Sequence, residues 1–175
     1  MKPIFILGYM CSGKSTVGRK LATQIGLQYI DLDSFIQDRF RKTVSDMFAN
    51  EGEDVFRIRE SKMLAELADF EDIVLAVGGG TPCFFDNMQL MNEKGTTIFI
   101  NLAAEGLSKR VKKASKKRPL LQNIQSDDEL LNKINDHLQE RMRYYSMANY
   151  TVDITEDEPI DSVIDKIKLI IKNLQ

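Results

Sequence analysis

The chain has 175 residues, 43% of them hydrophobic and 29% charged, which suits one globular domain with a substantial core. With a formal net charge of −2 and a pI near 5.5, nothing in its overall charge calls for nucleic acid as a partner. Two cysteines, Cys11 and Cys83, are too few for a disulfide framework or a metal cluster, and no apolar stretch is long enough to span a bilayer.

At the N-terminus, Lys2-Pro3 leads directly into Ile4-Phe5-Ile6-Leu7 with no cleavable signal pattern, so a cytoplasmic protein without a membrane partner is expected. The apolar run predicts a strand. Next comes Gly8-Tyr9-Met10-Cys11-Ser12-Gly13-Lys14-Ser15, which fits the phosphate-cradling pattern G-x-x-x-x-G-K-[ST]. A glycine-rich turn could spell the motif by accident. Here it is followed from Thr16 by Val17, Leu21, Ala22 and Ile25 at helical spacing, with Gly26 as a stop, which supplies the strand–loop–helix context the motif needs. Gly8 and Gly13 let the backbone N–H groups close on an anion, Lys14 is a point charge for the outer phosphates, and Ser15 offers a hydroxyl to Mg²⁺.

Residues 28–32 predict a second strand ending in the acid pair Asp31 and Asp33. Short helical pieces follow at 34–41 and 45–50, then a longer helix over 53–67 with Val55, Phe56, Met63, Leu64 and Leu67 as its apolar positions. The run 73–77 has the continuous apolar character of a strand buried on both faces, and it ends at Gly78-Gly79-Gly80 and Thr81-Pro82. A helix at 86–93, a strand at 97–102 and a helix at 104–111 lead into the basic segment 112–118. Past Pro119, Ser126-Asp127-Asp128-Glu129 has the composition of a helix start, and that helix continues to about Ser146. Residues 150–154 predict a fifth strand, and Pro159 opens a last helix striped by Ile160, Val163, Ile164, Ile167, Ile170, Ile171 and Leu174. Strands alternating with helices indicate an α/β fold of three layers, with helices on both faces of a parallel sheet, in a single domain spanning 1–175. Ligands bind such sheets beyond the carboxyl ends of the strands, which gathers the phosphate loop, Asp31, Asp33 and the triple glycine on one edge.

A phosphate loop serves GTPase switches, motors and small-molecule kinases alike. Asn132-Lys133-Ile134-Asn135 approaches the guanine-reading N-K-x-D segment but lacks its acid and falls inside a predicted helix, so it reads as helix surface. Seven of the ten residues from Lys109 to Arg118 are Lys or Arg. They could form a solvated face or a nucleic-acid patch, although no aromatic interleaves them. Their place beside a phosphate loop and between two helices favours a lid, at about 112–124, that closes over ATP and brings an arginine to the transferring phosphoryl group. A small hydroxylated acceptor also needs an acid to orient its hydroxyl, which Asp33 can supply. Arg57, Arg59, Arg118, Arg141 and Arg143 are candidates to neutralise the acceptor's charge. His137, the single histidine, lies outside these motifs and is expected to face solvent, and Met147 is expected to pack in the core.

These pieces together resemble shikimate kinase over nearly the whole chain. The matching segments are Gly8 to Gly18, Asp31-Leu32-Asp33, Gly52 to Glu60, Gly78-Gly79-Gly80, Arg118-Pro119-Leu120-Leu121 and Arg141 to Ala148, in the family's order and spacing. The resemblance implies ATP-dependent phosphorylation of the shikimate 3-hydroxyl, towards chorismate and the aromatic amino acids, on a five-stranded parallel sheet ordered 2-3-1-4-5. It implies that Gly8, Met10, Cys11, Ser12, Gly13, Lys14, Ser15 and Thr16 bind ATP, with Arg110 flanking the adenine and Arg118 reaching the phosphates from the lid. Shikimate would be held within a helical segment at about 33–62 and beyond it: Asp33 at the hydroxyls as proton acceptor, Arg57 and Arg141 at the carboxylate, Gly79 and Gly80 through their backbone. Mg²⁺ would be held by Ser15 directly and by Asp31 through water. On this resemblance Lys14, Asp33 and Arg118 would carry the catalytic roles, ATP and shikimate would be the partners, and a monomer is expected. The alternatives are a gluconate or nucleoside monophosphate kinase, against which the 52–60 segment argues, or a nucleotide-binding module without acceptor chemistry, against which Asp33 argues. Phe56 either walls the acceptor pocket or packs in the core, and core packing is the expectation. Cys11 stands where many relatives have glycine or another small residue, so it is either an inert filler or a thiol whose modification blocks ATP binding.

Overall fold

In a computed structural model, residues 1–115 and 126–173 are described. Residues 116–124 of the expected lid, with Arg118, lie outside the described residues, as does Leu174 of the expected last helix. Five strands, β1 (Ile4–Leu7), β2 (Gln28–Asp31), β3 (Ile73–Ala76), β4 (Thr96–Leu102) and β5 (Tyr150–Ile154), form one parallel sheet in the order β2-β3-β1-β4-β5. This is the predicted order. The central strand β1 pairs Ile4 with Val74 on one side and with Thr96 on the other.

Because side chains alternate across a strand, the sheet divides its apolar residues between two cores. Ile4, Ile6, Val74, Ile98, Ile100 and Val152 face α1 (Lys14–Ile25), α6 (Ala104–Ser115), α7 (Asp127–Tyr145) and α8 (Ile160–Lys172). Phe5, Leu7, Ile73, Leu75 and Phe99 face the other way, onto α2 (Leu32–Phe40), α3 (Val44–Glu51), α4 (Glu53–Ala68) and α5 (Asn87–Lys94). Phe56 belongs to this second core, where its ring lies 4.6 Å from that of Phe48. No described helix is long and apolar enough to cross a membrane.

Three local differences from the expected elements matter. Helix α2 starts at Leu32, so Asp33 sits in its first turn rather than at the end of a strand. The reason is Asp31, whose carboxylate caps α2 by accepting from the Ser34 N–H at 3.1 Å. Helix α6 continues to Ser115, so the first four residues of the proposed lid, 112–115, are helical. The basic residues of α6 meet acceptors: Lys109 and Lys113 pair with Glu156, and Lys112 pairs with Asp127. Met147 is exposed rather than in the core, because it follows the end of α7, where its carbonyl accepts from the Asn92 amide at 2.9 Å.

Candidate active site

The phosphate loop leaves β1 at Gly8, whose φ is 151°, and enters α1 through Gly13 at 103°. A Cβ on Gly8 would lie 2.8 Å from the Ile100 carbonyl and 2.7 Å from Ser12 Oγ, so only glycine allows this turn. Cys11 also takes a left-handed φ, 62°, and packs half-buried against the core. The Tyr9 carbonyl accepts both the Ser12 N–H at 3.1 Å and Lys14 Nζ at 2.9 Å, which ties the lysine back over its own loop. Arg110 braces the loop from outside. Its Nη1 donates to the Ser12 carbonyl at 3.0 Å, and its Nη2 to the Glu156 carbonyl at 2.7 Å. The first N–H groups of α1 and its positive dipole end therefore open onto a shaped anion cradle.

Beside the cradle, Ser15 Oγ donates to Asp31 Oδ2 at 3.0 Å, and the Tyr29 hydroxyl donates to the same oxygen at 3.2 Å. A hydroxyl and a carboxylate of this kind suit a hard cation. No cluster of three or more acidic, histidine or cysteine ligands accompanies them among the described residues. That set fits Mg²⁺ completed by phosphates and water rather than a protein cage.

Asp33 stands beside this set, in the first turn of α2. Burial raises its carboxyl to about 6, with the negative charges of Glu60 and Asp31 adding to the rise and Lys14 and Arg57 opposing it. Lys14 shows the converse, pushed down to about 8 by burial while Asp33, Cys11 and Asp31 pull it back up. Asp33 and Lys14 are thus both poorly hydrated, and each feels the other's charge.

Arg57 comes from α4. Its Nη1 donates to Glu60 Oε2 at 2.8 Å, and its Nε and Nη2 donate to Glu53 Oε1, both at 3.1 Å. The rings of Phe84, Phe56 and Phe48 surround the guanidinium, with Phe84 nearest at 4.2 Å to its centroid. Packed so, Arg57 has few alternative rotamers. Gly80 makes this possible, since a Cβ there would come within 2.7 Å of Arg57 Nη2. Gly79 meets the phosphate loop: its Cβ position lies 3.3 Å from the Gly8 carbonyl and 3.4 Å from both Met10 N and Arg141 Nη1. The Tyr145 hydroxyl donates to the Gly79 carbonyl at 2.6 Å and fixes that turn.

Lys14, Ser15, Asp31, Asp33, Arg57, Gly79, Gly80 and Arg141 therefore converge on one sheet edge. Arg59 and Arg143 do not join them: Arg59 pairs with Glu51 and covers the Phe40 ring, and Arg143 lies over Tyr144. His137 corrects an expectation. It is half-buried, not turned to solvent, and its Nδ1 lies 2.9 Å from the Tyr9 hydroxyl. Sequence reasoning gave no role to Glu60, which is buried, holds Arg57 and accepts from Thr81 Oγ1 at 2.6 Å. A signal was present, since Glu60 occupies a position in line with Phe56, Leu64 and Leu67 on the apolar face of α4, where an acid needs partners.

Comparison with known proteins bears on this geometry. Residues 10–172 match the family model described as shikimate kinase. A shikimate kinase of Phocaeicola vulgatus is 46% identical over 171 residues, covering 96% of this chain and 97% of its own. A crystal structure of shikimate kinase from Bacteroides thetaiotaomicron superposes with a TM-score of 0.92 at 40% identity, covering 98% of each chain. Another, of the Acinetobacter baumannii enzyme in complex with shikimate, gives 0.85 at 30% identity, covering 99% of this chain and 94% of that one. The chain belongs to the shikimate kinase family.

Proposed function

We propose that this shikimate kinase transfers the γ-phosphoryl group of ATP to the 3-hydroxyl of shikimate, using the residues above in the following roles. What supports the reading is the convergence of the phosphate loop with Asp33, Arg57 and Arg141 at one sheet edge, where Asp33 feels the charges of both Lys14 and Arg57. The loop from Gly8 to Thr16 wraps the phosphates with its N–H groups, and Lys14 neutralises the charge on the transferring group. Ser15 directly and Asp31 through water would hold Mg²⁺, which would supply positive charge to offset that of the phosphates.

On the acceptor side, Arg57 and Arg141 bind the shikimate carboxylate as planar donors, while Gly79 and Gly80 let the ligand approach the backbone. Arg57 already makes such a contact with the half-exposed carboxylate of Glu53, which models the bond a ligand carboxylate would form. Asp33 accepts the proton of the 3-hydroxyl as its oxygen attacks phosphorus and the bond to the β–γ bridging oxygen breaks, releasing ADP. A pKa near 6 leaves Asp33 ionised at neutral pH yet closer to a useful base than an ordinary aspartate. Arg118 completes the donor side from the lid, and Arg110 supports the adenine end.

The test is ADP release with shikimate, gluconate and nucleoside monophosphates offered in parallel. Shikimate should stimulate release far above background hydrolysis, and the others should not. No stimulation by shikimate, or stimulation by gluconate instead, would overturn the assignment.

A further inference from the structure

Tyr9 is the second residue of the phosphate loop, yet it is 4% exposed and belongs to the core between the sheet and α7. It makes three contacts with different parts of the site. Its carbonyl holds Lys14 Nζ at 2.9 Å. Its ring lies beneath the guanidinium of Arg141, 5.3 Å from the centroid. Its hydroxyl meets His137 Nδ1 at 2.9 Å. Arg141 and His137 stand four residues apart on α7, so one face of that helix takes the ring and the hydroxyl of the same tyrosine.

A buried tyrosine hydroxyl needs a partner, and a cation over an aromatic face gains most where water is excluded. Burial, followed by the charges of Arg141 and Lys133, moves His137 below the usual histidine range, which favours a neutral ring whose Nδ1 accepts from the tyrosine. The ring of Tyr9 is therefore clamped at its hydroxyl and presents a fixed surface to Arg141.

We propose that Tyr9, held by His137, is a positioning residue that couples the phosphate loop to the acceptor-binding arginine Arg141. Its side chain acts through Arg141 and touches neither substrate. The inference rests on Arg141 binding the acceptor carboxylate, as argued above. Its consequence is that a loop built for the donor also sets affinity for the acceptor.

The experiment measures KM for shikimate and for ATP in Tyr9→Leu, Tyr9→Phe, His137→Leu and His137→Asn. Removing the ring should raise the shikimate KM about tenfold and change the ATP KM less than about twofold, since Lys14 bonds to the backbone carbonyl. Tyr9→Phe and His137→Leu should each raise the shikimate KM about threefold, and the double variant should be no worse than either alone. His137→Asn should restore the wild-type value, because an asparagine amide can reach the place of Nδ1. Should Tyr9→Leu fold poorly, Tyr9→Phe and the histidine pair decide the matter. Unchanged shikimate KM in Tyr9→Phe and His137→Leu, additive effects in the double variant, or equal rises in both KM values would overturn the coupling. Absence of shikimate turnover in the wild-type enzyme is a separate result that would remove the reading on which it rests.

Discussion

Asp33 is an acid whose surroundings resist its charge. Burial, Glu60 and Asp31 raise its carboxyl from 3.8 to about 6. A carboxyl that binds its proton more tightly when folded favours the fold below its unfolded pKa and loses that contribution as pH rises through its folded pKa. The free enzyme therefore carries an energetic cost at Asp33 above pH 6, which bound ligands offset. Asp33→Asn should raise the unfolding free energy of the free protein at pH 7.5 by about 1–2 kcal/mol after allowance for solvent screening, with little gain at pH 4. Equal effects at both pH values in denaturant melts would contradict the titration. The same group predicts that kcat/KM rises with pH along a limb centred near 6 and levels off about one unit higher. Glu60→Gln should move that limb to lower pH by removing a neighbouring negative charge, while weakening shikimate binding through the loss of its charged contact to Arg57. A limb that stays in place or moves up would exclude Asp33 as its source. Asp33 was legible from residue type and from its closeness to Asp31. Its shift was not, because it depends first on burial in the folded site and then on Glu60, from a helix twenty-odd residues on.

At the scale of elements, the sequence pattern located the strands and helices well wherever periodicity was strong, as in β5, α1 and α8. It failed where a side-chain cap set the boundary. Asp31 starts α2 two residues earlier than the apolar pattern suggests, and that cap turns Asp33 into the cleft. The Tyr9–His137 bond was hidden for a different reason, since 128 residues separate its partners and neither spacing nor composition joins them. Two glycines separate structural from functional need. Gly8 has a positive φ and backbone close by, whereas Gly80 has an ordinary φ of −88° and meets only the tip of Arg57. Gly8→Ala should abolish ATP binding or folding. Gly80→Ala should leave thermal stability within about 1 kcal/mol but raise the shikimate KM at least tenfold, because the guanidinium must move. A stable Gly80→Ala variant with unchanged KM would show that the position of Arg57 is not critical.

The whole molecule explains why the two half-sites meet. The order β2-β3-β1-β4-β5 puts β3 between β1 and β2, so the turns after all three strands open side by side: the phosphate loop, the Gly78–Gly80 turn and the Asp31–Asp33 corner. Alternation of strands and helices made the parallel sheet legible, whereas the strand order came from family resemblance, since periodicity does not specify which strands pair. The central claim is that donor and acceptor chemistry divide at Asp33, which serves the acceptor and leaves nucleotide binding to the loop. The most direct measurement compares Asp33→Asn with the wild-type enzyme in shikimate-dependent ADP release and in equilibrium MgATP binding. Transfer should fall by about 10²–10⁴-fold while ATP affinity stays within about threefold. ATP affinity falling in step with transfer, or transfer persisting near the wild-type rate, would contradict it.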